Sequence, residues 1–136
     1  MVSPSVLTFN FHMETTEKQI VITSLNEYQQ RALDTDTYPH NILGTSARFM
    51  GLSGEAGEAT DKAKKEIRDH HFFDSDAFQN DQRNHDMALE LGDVLWYIST
   101  IANDLGYTLQ QIAEMNINKL ADRLNRDKIH GSGDHR

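Results

Sequence analysis

Two pairs of acidic residues in this sequence share one spacing, and their side chains are candidates for binding a metal ion. Glu55 and Glu58 lie three residues apart in GLSGEAGE, and Glu90 and Asp93 repeat that spacing in ELGDVLWY. Residues three apart lie on the same face of an α-helix. If the two stretches form neighbouring helices, four carboxylates converge on one place.

Each acid pair is expected at the edge of the apolar stripe of its helix. With about 100° of rotation per residue, both pairs fall on the same flank of the apolar positions. Carboxylates crowded at such an edge repel one another and lose hydration, so they need raised pKa values or a cation. Mg²⁺ takes oxygen ligands of this kind. The sequence therefore predicts a site for Mg²⁺, with Mn²⁺ as a substitute, formed by Glu55, Glu58, Glu90 and Asp93.

Two other interpretations of the acid pairs were weighed. A single pair on a surface helix is usually only a solvated face, but two pairs on the same flank, beside the small residues of GEAGEA, argue against that. A di-iron carboxylate bundle would need Glu-x-x-His on two helices. No Glu-x-x-His occurs in the chain.

Polar residues on three of the predicted helices are candidates for binding a substrate. Asn116, Lys119 and Arg123 share one flank of the last helix, and a Lys and an Arg one turn apart suit a triphosphate tail, which Arg can bind bidentately. Ordinary surface salt bridging is the alternative. Tyr97 lies on the acidic flank of its helix and is a candidate for touching a sugar or a base. Lys62 is placed either to contact phosphate or to offset the acids.

The elements that must position these residues are four helices, predicted at about 24–33, 45–68, 84–105 and 108–126. Ser24 to Glu27 and Thr108 to Gln111 are capping-box patterns that open the first and fourth helices. The core face of the fourth helix is predicted to contain Ala113, Ile117, Leu120 and Leu124. Trp96 falls well off the core stripe of the third helix, which suggests a subunit contact. The predicted fold class is all-α, a four-helix bundle that assembles as a dimer or higher oligomer.

The predicted domain organisation is one helical domain at 24–130 between two less regular ends. Residues 1–23 form either short extended pieces or a loose arm. Residues 131–136 form a Gly/Ser-rich tail that either folds over a bound substrate or is disordered. The long polar connection around 69–84 has the character of a lid or a partner contact.

Composition excludes several classes of partner and site. With 136 residues and a formal charge of −8, the chain is one acidic domain, poorly suited to a nucleic-acid backbone or an anionic membrane. The absence of cysteine excludes disulfides, thiol nucleophiles and zinc-thiolate sites. The chain contains no apolar run long enough to span a membrane, and its start is a poor signal peptide, so we expect a cytoplasmic protein.

The chain resembles the MazG-like, all-α nucleoside triphosphate pyrophosphohydrolases. The mark of that family is E-x-x-E followed later by E-x-x-D, and here it reads Glu55-Ala-Gly-Glu58 and Glu90-Leu-Gly-Asp93. The flanking GLSGEAGE, LGDVLWY and NINKLADR are also similar to family sequence, so the resemblance spans roughly 25–136. The connection between the two motifs is longer than in compact members.

The resemblance implies metal-dependent hydrolysis of a nucleoside triphosphate to the monophosphate and pyrophosphate, for the sanitation of nucleotide pools. Glu55 is then a candidate general base, and a homodimer or homotetramer is expected. The resemblance also makes Tyr38 and His40 candidates for contacting the nucleotide base, although the favoured interpretation is that both are ordinary loop residues. Three alternatives stay open: a dUTP- or dCTP-specific pyrophosphatase, a phosphoribosyl-ATP pyrophosphohydrolase, and a catalytically silent helical interaction module.

Overall fold

The computed structural model describes residues 20–69 and 81–128, which form four helices and, within those two ranges, no strand. The helices are α1 (Leu25–Leu33), α2 (Ile42–Asp69), α3 (Asp81–Asp104) and α4 (Leu109–Asn125). The all-α class and the number of helices are therefore confirmed for this part of the chain. The predicted arm, the tail and most of the 69–84 connection lie outside the described residues, and the division into 1–23, 24–130 and 131–136 stays a prediction.

The helix starts follow from capping side chains. Ser24 accepts a hydrogen bond from the backbone N–H of Glu27 at the start of α1, and Thr108 and Gln111 form a complete capping box on α4. α2 begins three residues earlier than predicted. The reason is Asn41, whose side-chain oxygen accepts a hydrogen bond from the N–H of Gly44 at 3.0 Å and so caps the first turn.

α2 and α3 run antiparallel and form the main packed pair of the fold. Arg48 of α2 bonds to Asp104 of α3 at 2.8 Å, and Lys62 bonds to Glu90 at 2.5 Å. The two pairs are 14 residues apart on each helix, which is close to four helical turns. A single register of α2 against α3 therefore satisfies both ion pairs. The predicted metal ligands lie near the pair formed by Lys62 and Glu90.

The guanidinium of Arg48 is completely buried and ties three segments together. It donates two hydrogen bonds to Asp36 Oδ2, at 3.0 and 2.7 Å, and one to Asp104 Oδ2. It also donates to the backbone carbonyls of Tyr38, at 3.1 Å, and Pro39, at 3.4 Å. A buried charge needs partners at all its donors. Arg48 thereby fixes the loop between α1 and α2 against the end of α3.

α1 is held on α3 and on the start of α4 by Gln29. Its buried side-chain amide donates to the carbonyls of Ser99 and Tyr107, and its oxygen accepts from the N–H of Leu109 at 2.9 Å. The small apolar core lies at this junction. Its fully buried apolar residues are Ala32, Ile101, Ala102 and Leu109.

Trp96 does not have the environment that its helical position suggested. Its indole N–H donates to the carbonyl of Ala32 at 3.2 Å and to Thr35 Oγ1 at 2.8 Å, and the residue is half-buried beneath α1. Trp96 is therefore covered within the monomer, and its position gives no ground for expecting a subunit contact there. The short helix α1 packs on a side of α3 that lies outside the apolar stripe of α3.

The apolar face of α4 is also not where the sequence placed it. Ile117 and Leu124 are 63% and 67% exposed, and Leu120 is exposed as well. The beginning of α4, with Leu109 and the half-buried Ile112 and Ala113, packs on α1 and α3. The predicted core stripe of α4 is therefore largely a surface of this monomer.

None of the helices in the described ranges is both long enough and apolar enough to cross a membrane.

We predict that Arg48→Met lowers the free energy of unfolding by about 3–5 kcal/mol, because it leaves the buried carboxylates of Asp36 and Asp104 without their cation. Urea denaturation followed by circular dichroism measures the loss. Arg31→Met is the matched control, since Arg31 is exposed and forms only an i,i+4 pair with Glu27; it should cost about 0.5 kcal/mol or less. Similar losses for the two variants would contradict the role given to Arg48.

Candidate metal and nucleotide site

Three of the four predicted ligands come together between α2 and α3. Carboxylate oxygens of Glu55, Glu58 and Glu90 lie within 4.8 Å of one another. Asp93 is exposed and lies outside this cluster of three, yet it is close enough for its charge to act on Glu55 and Tyr28. The structure thus places all four acids in one region, with Asp93 at its edge.

The acids are crowded enough to disturb one another's ionisation. Burial raises the pKa of Glu55 above its usual range, and the charges of Glu58, Asp93 and Glu90 raise it further. Each of these effects disfavours the ionised carboxylate. A cation between the carboxylates would remove that cost.

The donor set fits a hard divalent ion. Mg²⁺ holds oxygen ligands at roughly 2.1 Å, so opposite ligands of one ion are about 4.2 Å apart. The 4.8 Å spread of Glu55, Glu58 and Glu90 needs only small side-chain movements to reach that geometry. A set made of carboxylates alone suits Mg²⁺ or Mn²⁺ better than softer metals.

Lys62 is engaged with the acids. Its ammonium donates to Glu90 Oε1 at 2.5 Å and to the backbone carbonyl of Asp86 at 3.2 Å. The hydrogen bond to Glu90 raises the pKa of Lys62, which keeps the group charged. This pairing corresponds to one of the two predicted roles, offsetting the acids; contact with phosphate stays a prediction.

Tyr97 forms a wall of the site with a second tyrosine from the loop between α1 and α2. A hydrogen bond with Tyr38 is the main reason that the pKa of Tyr97 rises to about 12; burial and the charges of Glu55 and Asp93 add to it. The ring centre of Tyr38 lies 5.6 Å from the guanidinium carbon of Arg48. The buried arginine therefore helps to position the tyrosine pair.

Tyr38 was the residue that sequence reasoning undervalued. Its place in a loop before Pro39 made a plain loop residue the favoured interpretation. The signal that could have raised it was Arg48, a charged residue inside a helix that needed partners from a neighbouring loop. The other loop candidate, His40, instead bonds to Asp104 at 3.2 Å, at the far end of the α2–α3 pair.

Gly51 allows Tyr97 to lie against α2. A Cβ atom at position 51 would lie 2.2 Å from Cζ of Tyr97 and 2.5 Å from its hydroxyl oxygen. No side chain larger than hydrogen fits without moving the ring. Glycine at this position therefore sets the place of a residue of the site.

The three candidate phosphate-binding residues lie on α4, apart from α2. α4 packs on α1 and α3, and no Cα atom of α4 lies within 8 Å of a Cα atom of α2. Arg123 is buried, whereas Asn116 and Lys119 are exposed. Within the described residues, the structure therefore groups the acids, Lys62 and Tyr97 between α2 and α3, and leaves the α4 trio on a separate element.

Comparison with known proteins agrees with this arrangement. The family model for the MazG nucleotide pyrophosphohydrolase domain matches residues 45–126, which is more than half of the chain and includes all four acids. The chain belongs to the MazG family. The chain is also similar to the gene 37 protein of Mycobacterium phage L5. The two are 42% identical over 114 residues, which cover 80% of this chain and 96% of the phage protein. No solved structure is a significant match.

The MazG family model also fits what the structure shows of the helices. Its match begins in the first turn of α2 and ends at the last turn of α4. It therefore includes the two helices that bear the acids and the helix that bears Asn116, Lys119 and Arg123. α1, which covers Trp96, lies before the matched region.

We predict that Gly51→Ala destabilises the protein by about 1–3 kcal/mol, since the added methyl group must displace the ring of Tyr97. The pKa of Tyr97 should also fall toward its usual value, because the displaced ring loses its bond to Tyr38. Urea denaturation and spectrophotometric titration of the tyrosines measure the two effects. Gly54→Ala is the matched control.

A Cβ at Gly54 meets nothing within 4 Å. Because alanine favours a helix over glycine, Gly54→Ala should stabilise the protein by about 0.5–1 kcal/mol. The packing of Tyr97 on Gly51 is refuted if both variants are stabilised and the tyrosine titration is unchanged.

Proposed function

We propose that this chain is a metal-dependent nucleoside triphosphate pyrophosphohydrolase that converts an NTP or dNTP to the monophosphate and pyrophosphate. The observation that carries the proposal is the convergence of Glu55, Glu58 and Glu90 within 4.8 Å in a chain of the MazG family. In this proposal Asp93 is the fourth ligand, and Mg²⁺ or Mn²⁺ is the metal. The cellular role that fits this activity is the sanitation of nucleotide pools.

A divalent ion bound by the four acids would neutralise phosphate charge and lower the pKa of a water molecule. In the step that follows, Glu55 accepts a proton from the water that attacks the α-phosphorus. The bond between the α-phosphorus and the bridging oxygen then breaks, and pyrophosphate leaves.

The substrate is proposed to be held by side chains around the acids. Tyr97, fixed by Gly51 and Tyr38, is the contact for the sugar or the base. Lys119 and Arg123, with Asn116, bind the phosphates and stabilise the charge that develops on the leaving pyrophosphate. Because α4 makes no backbone contact with α2 in the described chain, this role requires either a movement of α4 or the α4 of another subunit.

We predict that Glu58→Gln and Asp93→Asn each reduce metal-dependent hydrolysis by about 100-fold or more. Loss of a residue that only supports a metal ligand typically costs 10–100-fold, and loss of a ligand itself should cost at least as much. The assay measures pyrophosphate and monophosphate with Mg²⁺, Mn²⁺ or EDTA. Its panel contains canonical and modified nucleoside triphosphates, dUTP, dCTP and phosphoribosyl-ATP.

Asp61→Asn is the matched control for this prediction. Asp61 is on the same helix as Glu58, but its carboxylate pairs with Lys64 and Lys65, so its removal should leave turnover unchanged. A strong preference for dUTP, dCTP or phosphoribosyl-ATP would select one of the narrower enzymes. No metal-dependent turnover of any nucleotide by folded protein would refute the enzyme and favour the interaction module.

We also propose that the chain forms a homodimer or homotetramer. Ile117 and Leu124 form an exposed apolar stripe on α4, and Ile42, Leu43 and Met50 are exposed on α2. An exposed apolar stripe such as the one on α4 is characteristic of a binding face. A second copy of the chain would remove it from water.

We predict that the wild-type protein is an oligomer in size-exclusion chromatography with light scattering, and that Ile117→Glu/Leu124→Glu shifts it toward the monomer. Two carboxylates buried in an apolar interface without partners cost far more than they do in water. Asn118→Glu adds a charge on another face of the same helix and should leave the mass unchanged. A monomeric wild type would refute the assembly.

A further inference from the structure

Lys62 occupies the position of a cation within the acid cluster. Its ammonium is 2.5 Å from Oε1 of Glu90, one of the three residues whose carboxylates converge. Glu58 also acts on it electrostatically. The Glu90 side chain is only 12% exposed. Few water molecules can therefore reach Oε1 of Glu90 to take over the hydrogen bond that Lys62 donates.

Lys62 and a divalent ion therefore compete for the same carboxylate. An ion held by Glu90 together with Glu55 and Glu58 must either share Glu90 with the ammonium or displace it. Like charges a few ångströms apart repel even in a medium as polar as water. The bond from Lys62 to Glu90 thus opposes metal binding and, without metal, relieves the repulsion among the acids.

A neighbouring pocket gives the displaced ammonium a place to go. Lys62 lines a cavity of about 200 Å³ between α2 and α3. Glu66 and Asp86 line it together with Lys65 and Arg83, and Arg83 pairs with Glu66 at 2.7 Å. Lys62 already bonds to the backbone carbonyl of Asp86 at the edge of this cavity. The flexible stem of lysine can swing toward this cavity while that second bond is kept.

We propose that Lys62 is a built-in competitor of the metal, a positioning residue whose ammonium neutralises Glu90 in the metal-free protein and gives up that carboxylate when the ion binds. The inference rests on the proposed function, because it requires the acids to bind a metal. Lys62 sets the metal concentration at which the site fills. It also keeps the acid cluster stable before that point.

The experiment measures Mn²⁺ binding by isothermal titration calorimetry without nucleotide, for the wild type, Lys62→Met and Lys62→Arg. Methionine keeps much of the apolar stem and removes the charge, so Lys62→Met should bind Mn²⁺ about tenfold more tightly. In EDTA the same variant should unfold at lower urea than the wild type, since its acids are unbalanced. Lys62→Arg keeps the charge and should bind Mn²⁺ with nearly wild-type affinity.

Lys64→Met is the matched control. It removes the same charge from the same helix, but Lys64 pairs with Asp61, and its effect on Mn²⁺ affinity should be about twofold or less. A lysine that only stabilises the fold would, when removed, lower stability without tightening metal binding. The opposite signs of the two effects are specific to competition.

The outcomes separate the two proposals. If the wild type binds no Mn²⁺, the proposed metal site fails, and the competition fails with it. If the wild type binds Mn²⁺ and Lys62→Met binds it equally or more weakly, the competition is wrong while the metal site stands. Tighter binding by Lys62→Met together with lower stability in EDTA supports the competition.

Discussion

The buried ion pairs of Arg48 determine where everything else in the site lies. A completely buried guanidinium is stable only when its donors are satisfied, and here the partners come from the loop after α1, from Asp36, and from the end of α3, through Asp104. The same register brings Glu90 opposite Lys62 four turns away. The loop held by Arg48 also carries Tyr38 to Tyr97. One charge without access to water thus sets both the helix register and the position of the tyrosine pair beside the acids.

Much of the fold was predictable because it depends on local rules. The capping residues Ser24 and Thr108 mark helix starts that the structure reproduces. The acid pairs were predictable because a three-residue spacing on a helix needs no tertiary information to place two side chains on one face. Helix type follows from periodicity in the same way.

What could not be predicted depends on contacts between elements. Trp96 was misread because only the packing of α1 reveals that its indole N–H has partners. Ile117 and Leu124 were expected in the core but are exposed. An apolar stripe does not reveal whether the surface that packs on it belongs to the same chain or to another one. The partner of Lys62 was equally undecidable, because its distance to Glu90 depends on the register that Arg48 imposes. Periodicity predicts which face of a helix is apolar, and only the tertiary structure shows which element packs on that face.

The hydrogen bonds of Gln29 have a consequence for how the chain is made. Their partners at Ser99, Tyr107 and Leu109 follow 70 to 80 residues later in the sequence. During synthesis α1 therefore emerges before α2, α3 and α4 and waits longest of these four helices for its binding surface, because contacts this distant in sequence close late. α2 and α3 can pair once residue 104 has been made, but α1 can dock only after the start of α4 follows. Of the four described helices, the first to be translated is thus the last to be fixed in place, and premature termination before residue 109 leaves α1 without a complete binding surface.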